Sequence, residues 1–588
     1  MTKKEELKLI WFYIKNWFQN KNGVAISIIF FSSTLIYLII IFNLYKVQIK
    51  NHSKYLNISN NLNKHRRIEE DTRASIYFQN NSRDIIAGTQ QKYYWLILDN
   101  KDNKFLNHNN LNLVYKKLTK YISIPKKKFF KLANQKNKAY IILNKNISET
   151  IKEKIQKEKI KYIYFDKQFK RYYPFDELGS KIIGFTNAEN NGVTGLEKKY
   201  NSTLKIQEIK EKNKILSLIN QNIDNLQKKE LFKRQGDIYT SIDINVENFL
   251  TKKIQEINNK YHSKKTFGII MKPGNGEIVA IADNEKLNFN LKKEDYRNDI
   301  VESRYEPGSI IKPLIVALAL DSGYINKDFK YNDTGCILIQ NKKICNFDKR
   351  GRGPNTNLTR IIRDSLNVGM VNIEKKIPKK VFLEYFIKLG LSEESGIDLP
   401  NEISPNINTL NYKINLNYAT AAFGQGISLS PIVTLRALSI LANNGYLVTP
   451  HLVTKIKYKN YILDKKIEYP KTKVLKDKTM KEIQQIMIRA VENSPSKQKY
   501  VNKYYNVAAK TGTAQIAKPG GGYKKGTNLH TFFGFFPAKA PVEDRYIILL
   551  YTLEPKGVRY SSQTLTKPFF EIMDFLISYY NIKSDKLK

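Results

Sequence analysis

An uncharged stretch near the N terminus restricts the possible folds of this chain more than any other feature. Residues 24–44 read VAISIIFFSSTLIYLIIIFNL, 21 residues without a charged side chain. A helix rises about 1.5 Å per residue, so this stretch matches a bilayer core of about 30 Å. A surface helix of a soluble protein has a polar face, whereas this run is apolar on every side. The sequence predicts one transmembrane helix, with Trp11, Trp17 and Lys21 as interfacial anchors.

The charges that flank this stretch do not orient it in a membrane. The 23 residues before it carry five Lys, and the 23 residues after it carry six Lys or Arg. The sequence that ends the run, FNLYKVQIK, lacks the small-x-small pattern of a signal-peptide cleavage site. We therefore expect an uncleaved anchor that separates a short tail, residues 1–23, from the rest of the chain.

The chain is strongly basic, with 99 Lys and Arg against 54 Asp and Glu and a net charge of +45. Such a charge suits nucleic acid or an anionic surface. Lys, Asn and Ile are abundant from end to end, however, and no Lys/Arg block alternates with aromatic residues as a nucleic-acid groove requires. The charge is best explained by overall composition, and we expect no nucleic-acid partner. A hydrophobic content of 41% excludes a chain that is disordered throughout.

Cysteine and histidine usage excludes two further classes of protein. The chain has only two Cys, and its six His are scattered without the spacing of a zinc or facial-triad site. We therefore expect neither a disulfide-framework protein nor a metal enzyme.

The region that follows the anchor is rich in Lys and Asn and predicts mixed α+β structure. Strand-like runs lie at Tyr93–Leu98 and Ala139–Leu143, and Ile147–Ile160 has the apolar spacing of an amphipathic helix. Asn146 and Glu149 have the spacing of a capping box at the start of that helix. No catalytic constellation is visible in this region.

The composition changes at Gly236–Thr240, beyond which the predicted strands and helices become regular. Phe267–Ala282 reads FGIIMKPGNGEIVAIA and predicts a β-hairpin whose turn is Pro273–Gly276. We therefore place a domain boundary here, between residues 45–235 and residues 236–588.

A serine and a lysine three residues apart form the first of three short motifs. Glu306 to Lys312 reads EPGSIIK and precedes the apolar run PLIVALAL. The Pro-Gly pair breaks the preceding structure, so Ser309 should begin a helix with Lys312 on the same face one turn later. A helix N terminus favours negative charge on the serine oxygen, and burial can leave a lysine as a free amine base. Taken alone, the motif fits an ordinary capped helix better than a catalytic site.

The second and third motifs lie further along the chain. Ser365-Leu366-Asn367 falls between two amphipathic stretches, where its polar side chains either point into a cleft or cap a helix. Lys510 to Thr513 reads KTGT within a predicted strand, and the glycine lets a ligand approach the backbone. The strand edge offers N–H groups to an oxyanion and the lysine offers a charge to a carboxylate. The alternative is an edge strand interrupted by glycine.

Together and in this order, the three motifs resemble the Ser-x-x-Lys, Ser-x-Asn and Lys-Thr-Gly set of penicillin-binding proteins and class A β-lactamases. Three further segments are similar to the end of the non-catalytic pedestal of class B penicillin-binding proteins. They are Arg171–Pro174 (RYYP), Ile183–Asn187 (IGFTN) and Gly192–Lys198 (GVTGLEK). The first two of these segments, with a single anchor, most resemble the septal transpeptidases of cell division. Leu366 stands where the family has a small residue, and Arg73–Ile76 keeps part of an Arg-Gly-x-Ile signature.

The resemblance implies an α+β multidomain fold in which an N-terminal transmembrane helix over residues 24–44 precedes an extended α+β pedestal of the dimerisation type over residues 45–235. Residues 236–588 would form the C-terminal penicillin-binding transpeptidase domain, with a serine β-lactamase-like fold. Further segments that fit the class are Tyr296–Asn298, Phe423–Gly426, Ser430–Pro431 and His530–Phe535.

The resemblance also implies a serine acyl-transfer enzyme, a D-Ala-D-Ala transpeptidase with carboxypeptidase activity as a side reaction. Ser309 would be the nucleophile and Lys312 the base that takes its proton. Ser365 would relay that proton to the departing D-Ala, and Asn367 would align the amide of the donor peptide.

The KTGT strand would hold the other end of the donor peptide. Lys510, with Thr511, Gly512 and Thr513, would bind the terminal carboxylate. The backbone N–H groups of Ser309 and Thr513 would stabilise the oxyanion.

The implied substrate is a peptidoglycan stem peptide that ends in D-Ala-D-Ala, with β-lactams as inhibitors and no cofactor or metal. No glycosyltransferase motif is visible, so the implied partners are an FtsW-type glycan polymerase and other divisome membrane proteins. Because this substrate lies outside the cytoplasmic membrane, the N terminus would be cytoplasmic and the catalytic domain periplasmic. The resemblance thus implies a single-pass protein of the inner membrane.

Four other functions stay open at the level of the sequence. An elongation-type class B transpeptidase would share all three motifs. A β-lactamase would need a residue that activates water for deacylation, and a β-lactam sensor would be acylated without cross-linking the wall. A basic nucleic-acid binder would need exposure to the cytosol.

The two cysteines, Cys336 and Cys345, flank ILIQNKKI, which reads as a short hairpin. In an oxidising periplasm they would form a disulfide. The alternative is a pair of unrelated thiols, and the sequence leaves the choice open.

Overall fold

The computed structural model describes residues 3–19, 21–46, 72–81, 83–99, 108–135, 138, 140–208, 233–285, 296–458, 465–494, 500, 502–518 and 522–586. The chain divides into two compact units, Met1–Asp71 and Thr72–Lys588. Several parts of the predicted pedestal lie outside the described residues, the longest being residues 47–71 and residues 209–232.

The first unit contains two helices, α1 (Lys3–Gln19) and α2 (Lys21–Tyr45). The uncharged stretch 24–44 falls within α2, and Trp11 on α1 is exposed. Among the residues that the structure describes, none of the helices combines the length and the apolar character needed to cross a membrane. The side chains of residues 17–28, which include Trp17 and Lys21, lie outside the description. The transmembrane helix therefore stays a prediction.

Strands and helices are mixed along the second unit, as expected of an α+β protein. The strands are β1 (Ile76–Asn80), β2 (Arg83–Asp99), β3 (Tyr140–Ile147), β4 (Ile163–Tyr172), β5 (Gln207–Glu208), β6 (Lys233–Arg234), β7 (Gly236–Asp243), β8 (Lys265–Met271), β9 (Ile278–Asp283), β10 (Lys330–Asp333), β11 (Cys336–Ile339), β12 (Lys342–Cys345), β13 (Gly353–Asn357), β14 (Tyr446–Val448), β15 (Val453–Tyr458), β16 (Lys465–Lys466), β17 (Lys471–Lys473), β18 (Ala508–Ala517), β19 (Tyr523–Phe536) and β20 (Tyr546–Leu553).

The helices of this unit are α3 (His108–Leu118), α4 (Lys126–Ala133), α5 (Glu149–Lys157), α6 (Ser180–Ile183), α7 (Gly195–Lys199), α8 (Asn201–Leu204), α9 (Ile244–Tyr261), α10 (Asp299–Glu302), α11 (Lys312–Asp321), α12 (Leu358–Arg363), α13 (Asn367–Glu374), α14 (Lys379–Lys388), α15 (Asn415–Ala421), α16 (Pro431–Ala442), α17 (Asp477–Glu492), α18 (Ser561–Thr564) and α19 (Thr566–Tyr580). Short 3₁₀ turns cover Gly308–Ile311, Asn408–Tyr412 and Val542–Asp544.

The larger sheet joins strands from both sides of residue 236. Its order is β16-β15-β7-β1-β2-β3, and β4 also pairs with β2. β7 lies parallel to β1, with Ile76 opposite Ile238, and β15 lies antiparallel to β7. The segment where the composition changes is therefore an inner strand of this sheet. The bounds 45–235 and 236–588 stay predictions.

Helices α3, α4 and α5 cover one face of the β2-β3-β4 part of this sheet. Leu96 and Leu98 on β2 and Ile141 on β3 form a buried cluster with Phe129 of α4 and Ile155 of α5. Alternate residues of each strand face the helices, which is the period-two pattern read from the sequence. The run Tyr93–Leu98 is confirmed as part of β2, and the run Ala139–Leu143 is confirmed from Tyr140 onward as part of β3; Ala139 lies outside the described residues.

The helix predicted over Ile147–Ile160 is shorter than expected, and its cap differs. β3 continues through the first of these residues, and α5 covers Glu149–Lys157. The N-cap is Ser148, whose Oγ accepts a hydrogen bond from Ile151 N at 3.3 Å. Because Asn146 lies within the strand, it cannot cap the helix, and the predicted capping box is wrong.

A buried ion cluster holds the pedestal motifs together. Arg73 Nε and Arg171 Nε donate to the two carboxylate oxygens of Glu197, at 2.5 and 2.6 Å. Arg171 Nη1 also donates to Ala74 O at 2.7 Å. The partial Arg-Gly-x-Ile signature, the RYYP segment and the GLEK segment therefore meet at one carboxylate.

The second sheet is antiparallel, in the order β18-β19-β20-β8-β9. β8 and β9 form the hairpin predicted over Phe267–Ala282, which is confirmed. Helices α9 and α19 pack on one face, where the rings of Phe249 and Phe575 stack with centroids 4.0 Å apart. On the opposite face, Leu549 belongs to the same buried cluster as Leu314 of the apolar helix α11. β18 is an edge strand, so one of its backbone edges is available to a ligand.

Candidate active site

The predicted nucleophile lies in a tight turn at the start of α11. Ser309 belongs to the 3₁₀ turn Gly308–Ile311, and the α-helix proper begins at Lys312. Gly308 has φ +61°, and a Cβ at this position would lie 2.8 Å from Ala514 Cβ. A side chain is therefore excluded by both backbone conformation and space. The close approach brings Ser309 beside the KTGT strand.

Lys312 is completely buried, and three neutral oxygens surround its amine. Its Nζ donates to Ser365 O at 2.6 Å, to Asn367 Oδ1 at 2.8 Å and to Ser365 Oγ at 3.2 Å. Burial lowers the pKa of Lys312 well below its usual value. A lysine whose pKa is lowered loses its proton more readily, and the free amine can then accept a proton from a hydroxyl group.

The Ser-x-Asn motif forms the turn between α12 and α13, as its flanking stretches predict. Ser365 adopts φ +57°, a left-handed conformation that costs a non-glycine residue energy. This backbone directs the Ser365 carbonyl to Lys312. Leu366, the departure from the family pattern, has 0% exposure and belongs to the hydrophobic core.

The third motif completes the cluster from β18. Lys510 is 1% exposed, and its Nζ donates to Ser365 Oγ at 3.0 Å and to Thr511 O at 2.6 Å. A Cβ on Gly512 would lie 2.2 Å from Thr531 Oγ1 and 3.3 Å from Ile310 N. Glycine thus lets the strand pack against the nucleophile turn.

Thr513 is exposed on the same strand, and residues near the C terminus support it. Its Oγ1 accepts a hydrogen bond from Ser561 N at 3.1 Å. The residue paired with Thr513 on β19 is His530, whose Nε2 donates to Arg559 O at 3.2 Å. Burial lowers the pKa of His530 to about 4, so this ring is neutral at physiological pH and acts as a structural link.

The structure therefore brings all three motifs to one cleft. One hydrogen-bonded cluster contains Lys312, Ser365, Asn367 and Lys510. The edge strand continues from Lys510 through Thr511, Gly512 and Thr513. Ser309 lies one turn before Lys312 and beside this strand. A serine, a lysine with a lowered pKa and a second lysine in this arrangement can perform serine acyl transfer.

Sequence reasoning missed a second wall of the cleft. Cys336 and Cys345 form a disulfide, and the hairpin they close lies beside the Ser-x-Asn turn. Two residues after Cys345, the ring of Phe347 packs edge to face against the ring of Tyr560, with centroids 5.5 Å apart. Because Tyr560 adjoins Ser561, this pair connects the hairpin to the KTGT side of the cleft. The cysteine pair was the only sequence signal for this wall.

A groove with a volume of about 880 Å³ begins where β18 leaves the cleft. Its lining includes Gln515, Ile516, Arg304 and Lys524, together with Glu306 from the nucleophile motif. Glu306 Oε1 accepts a hydrogen bond from Gly426 N at 3.0 Å, and burial raises its pKa above the usual value. The groove provides room for a peptide longer than its two terminal residues.

Comparison with protein families gives two matches. The penicillin binding protein transpeptidase domain matches residues 266–574, more than half of the chain, and the penicillin-binding protein dimerisation domain matches residues 68–237. The chain belongs to the penicillin-binding protein transpeptidase family. The dimerisation match shows that this transpeptidase also has the pedestal-type domain of class B members.

Individual relatives agree with this assignment. The chain is 28% identical over 473 residues to stage V sporulation protein D of Bacillus subtilis. The matched region covers 77% of this chain and 69% of the relative. The chain is 27% identical over 487 residues to peptidoglycan D,D-transpeptidase FtsI of Buchnera aphidicola, 81% of this chain and 82% of the relative. The crystal structure of penicillin binding protein 2X from Streptococcus thermophilus matches with a TM-score of 0.72 at 20% identity, over 88% of this chain and 82% of that one. This last likeness concerns the fold alone.

Proposed function

We propose that this transpeptidase joins peptidoglycan stem peptides at the division septum, as a serine D,D-transpeptidase. One observation supports the reaction above all. The buried amine of Lys312, whose pKa burial lowers well below its usual value, lies one turn after Ser309 and shares Ser365 with Lys510. The similarity to an FtsI protein, together with the RYYP and IGFTN segments, supports the septal role.

In the first step, Ser309 Oγ attacks the carbonyl carbon between the last two D-alanines of a donor peptide. Lys312 Nζ takes the hydroxyl proton as the new C–O bond forms. The backbone N–H groups of Ser309 and Thr513 stabilise the oxyanion of the tetrahedral intermediate.

The intermediate collapses when the C–N bond breaks. The proton held by Lys312 passes through Ser365 Oγ to the nitrogen of the departing D-Ala, because that hydroxyl contacts both lysines. Lys510, with Thr511 and Thr513, binds the D-Ala carboxylate, and Asn367 aligns the donor amide. The acyl group stays on Ser309 as an ester.

The second step repeats this path in reverse. The side-chain amine of a neighbouring stem peptide attacks the ester carbonyl and loses a proton to the Lys312 amine. The ester C–O bond then breaks, and Ser309 Oγ regains a proton. The product is a peptide cross-link between two stems. The remainder of the donor stem occupies the groove beyond Gln515, where Arg304 and Lys524 suit its carboxylates.

We propose that residues 24–44 anchor this enzyme in the inner membrane as a single span. The support is the uncharged sequence and the location of the substrate outside the cytoplasmic membrane. Residues 1–23 would then be cytoplasmic and the catalytic residues periplasmic. Since the sequence contains no glycosyltransferase motif, an FtsW-type polymerase and other divisome proteins are the proposed partners.

An exchange assay tests the proposed reaction. Full-length protein in detergent is incubated with a stem peptide that ends in D-Ala-D-Ala and with a fluorescent D-amino acid as the acceptor amine. We expect the fluorescent residue to replace the terminal D-Ala, and we expect Ser309→Ala to abolish this exchange. Ser578→Ala, an exposed serine on α19, is the matched control and should retain it. Rapid turnover of penicillin without exchange would instead indicate a β-lactamase.

A further inference from the structure

The disulfide-closed hairpin β11–β12 has no role in the mechanism above, yet it contacts a residue that has one. Cys336 and Cys345 pair directly across the hairpin and are joined by the disulfide. We propose that this hairpin positions Asn367, so that the disulfide is needed for rapid acylation of Ser309. The inference rests on the proposed function.

The first link is the backbone carbonyl of Cys345. Asn367 Nδ2 donates to Cys345 O at 2.9 Å, while Asn367 Oδ1 accepts from Lys312 Nζ at 2.8 Å. A rotated amide would face the carbonyl with its oxygen and the amine with its NH₂ group, and both hydrogen bonds would be lost. The Cys345 carbonyl therefore fixes the amide orientation that Lys312 requires.

The second link is the next residue, Asn346, which is 2% exposed. Its Oδ1 accepts from Val368 N at 3.1 Å, in the first turn of α13. Its Nδ2 donates to both carboxylate oxygens of the buried Asp333, at 3.0 Å each. Asn346 thus connects the end of the hairpin to the backbone that carries Asn367.

The hairpin is held by two buried side chains, Ile339 and Ile344, and by the disulfide. β11 and β12 form a two-stranded sheet of their own, and Leu338 is 67% exposed. Isolated two-stranded hairpins are marginally stable in water. The disulfide joins the two strands at the end next to Asn367, where fraying would displace the Cys345 carbonyl.

Reduction with dithiothreitol tests this role directly. The S–S bond breaks, each cysteine sulfur gains one electron and one proton, and the dithiol closes to a cyclic disulfide. We expect the second-order rate constant for acylation by a fluorescent penicillin to fall at least about tenfold, as for the loss of one positioned catalytic contact. Dithiothreitol should have no effect on the C336S/C345S double variant, which should be as slow as the reduced wild type.

A pH profile separates positioning from a purely structural role. Asn367 Oδ1 is one of the acceptors that stabilise the protonated form of Lys312. When this acceptor is displaced, the pKa of Lys312 falls further, so the acid limb of the acylation profile should move to lower pH in the reduced protein. A lower rate with an unchanged acid limb would contradict the proposal.

An asparagine pair provides a test that keeps the disulfide intact. Asn346→Ala should slow acylation and move the acid limb in the same direction as reduction. Asn341→Ala, in the exposed turn of the same hairpin, is the matched control and should leave both unchanged.

Equal acylation rates in the oxidised, reduced and Asn346→Ala proteins would overturn the inference. So would global unfolding on reduction, followed by circular dichroism, because the disulfide would then support the whole domain. Oxidised wild type that fails to label at all would instead overturn the proposed function.

Discussion

Lys312 and Lys510 donate to the same atom, Ser365 Oγ, at 3.2 and 3.0 Å. The two amines differ in their position in the cleft. Lys312 lies one turn after Ser309, and burial holds its pKa well below the usual value. Lys510 extends from the edge strand that would bind the substrate carboxylate. In the proposed mechanism, the shared hydroxyl connects the base on the nucleophile side of the cleft to the lysine that binds the substrate carboxylate.

Replacing the base should separate these two roles. Lys312→Arg places a permanently protonated guanidinium at a site that must accept a proton, so acylation by penicillin should fall about 10²- to 10⁴-fold. Lys510→Arg keeps a positive charge on the substrate side and should be less damaging. Stopped-flow labelling with a fluorescent penicillin measures both rates. Near-normal acylation of Lys312→Arg would show that another group is the base.

The rate of acylation should also decrease as the pH is lowered. Only the neutral amine of Lys312 can accept the Ser309 proton, so the rate falls as the pH drops through its pKa. His530 cannot cause such a limb in the neutral range, since burial lowers its pKa to about 4. The measurement is the penicillin acylation rate between about pH 5 and about pH 9. Full recovery after return to pH 8 would be the control for denaturation, and a rate that rises as the pH is lowered would contradict the assignment.

The contact between Phe347 and Tyr560 should restrict access to the cleft. A ring pair of this kind contributes about 0.5–1.5 kcal/mol, so Phe347→Ala should speed acylation by bulky penicillins about two- to tenfold. Tyr560→Ala should act similarly, and the double variant should add little. Tyr412→Ala removes an aromatic side chain that is 72% exposed, and it serves as the control. Slower acylation of both single variants would show that the rings bind substrate instead.

Much of the catalytic cleft could be predicted from the sequence because each motif is local. The helix turn that relates Ser309 to Lys312 and the strand that carries Lys510 follow from a few adjacent residues. The rest depends on contacts between distant segments. Glu197 neutralises Arg73 across 124 positions of the chain, and the Cys345 carbonyl meets Asn367 through a turn that no pattern specifies.

Local patterns also failed where two elements competed for the same residues. The predicted capping box at Asn146 is wrong because Asn146 belongs to a strand. β3 pairs with β2 up to Ile147, so the helix begins later and Ser148 is its cap. The segment near Gly236, where the composition changes, pairs with β1 inside the larger sheet, and the domain boundary placed there stays a prediction. Sheet pairing between distant strands is not encoded in a composition profile.

The buried carboxylate of Glu197 should be critical for stability. Glu197→Gln leaves Arg73 and Arg171 without a counter-charge, and breaking such a buried pair costs about 3–5 kcal/mol. We expect a lower melting temperature with little change in the initial penicillin acylation rate at low temperature. Glu189→Gln, an exposed residue nearby in sequence, is the control. An unchanged melting temperature would show that the cluster contributes little.

The septal role leads to a prediction in cells. Replacing residues 24–44 with an unrelated transmembrane span should keep the protein in the membrane fraction and reactive with penicillin, while placement at the septum is lost. The same tagged chain with its own helix is the control. Depletion of the protein in a rod-shaped host should give filaments, whereas round cells would favour the elongation-type transpeptidase.

Mapping the penicilloyl group by mass spectrometry identifies the nucleophile itself. Wild-type protein is acylated with penicillin, digested, and its modified peptide sequenced. We expect one modified residue, Ser309, an adduct that outlasts many turnovers of natural substrate, and no label on Ser309→Ala. Modification of Ser365 or any other residue, or covalent labelling that persists in Ser309→Ala, would contradict this expectation.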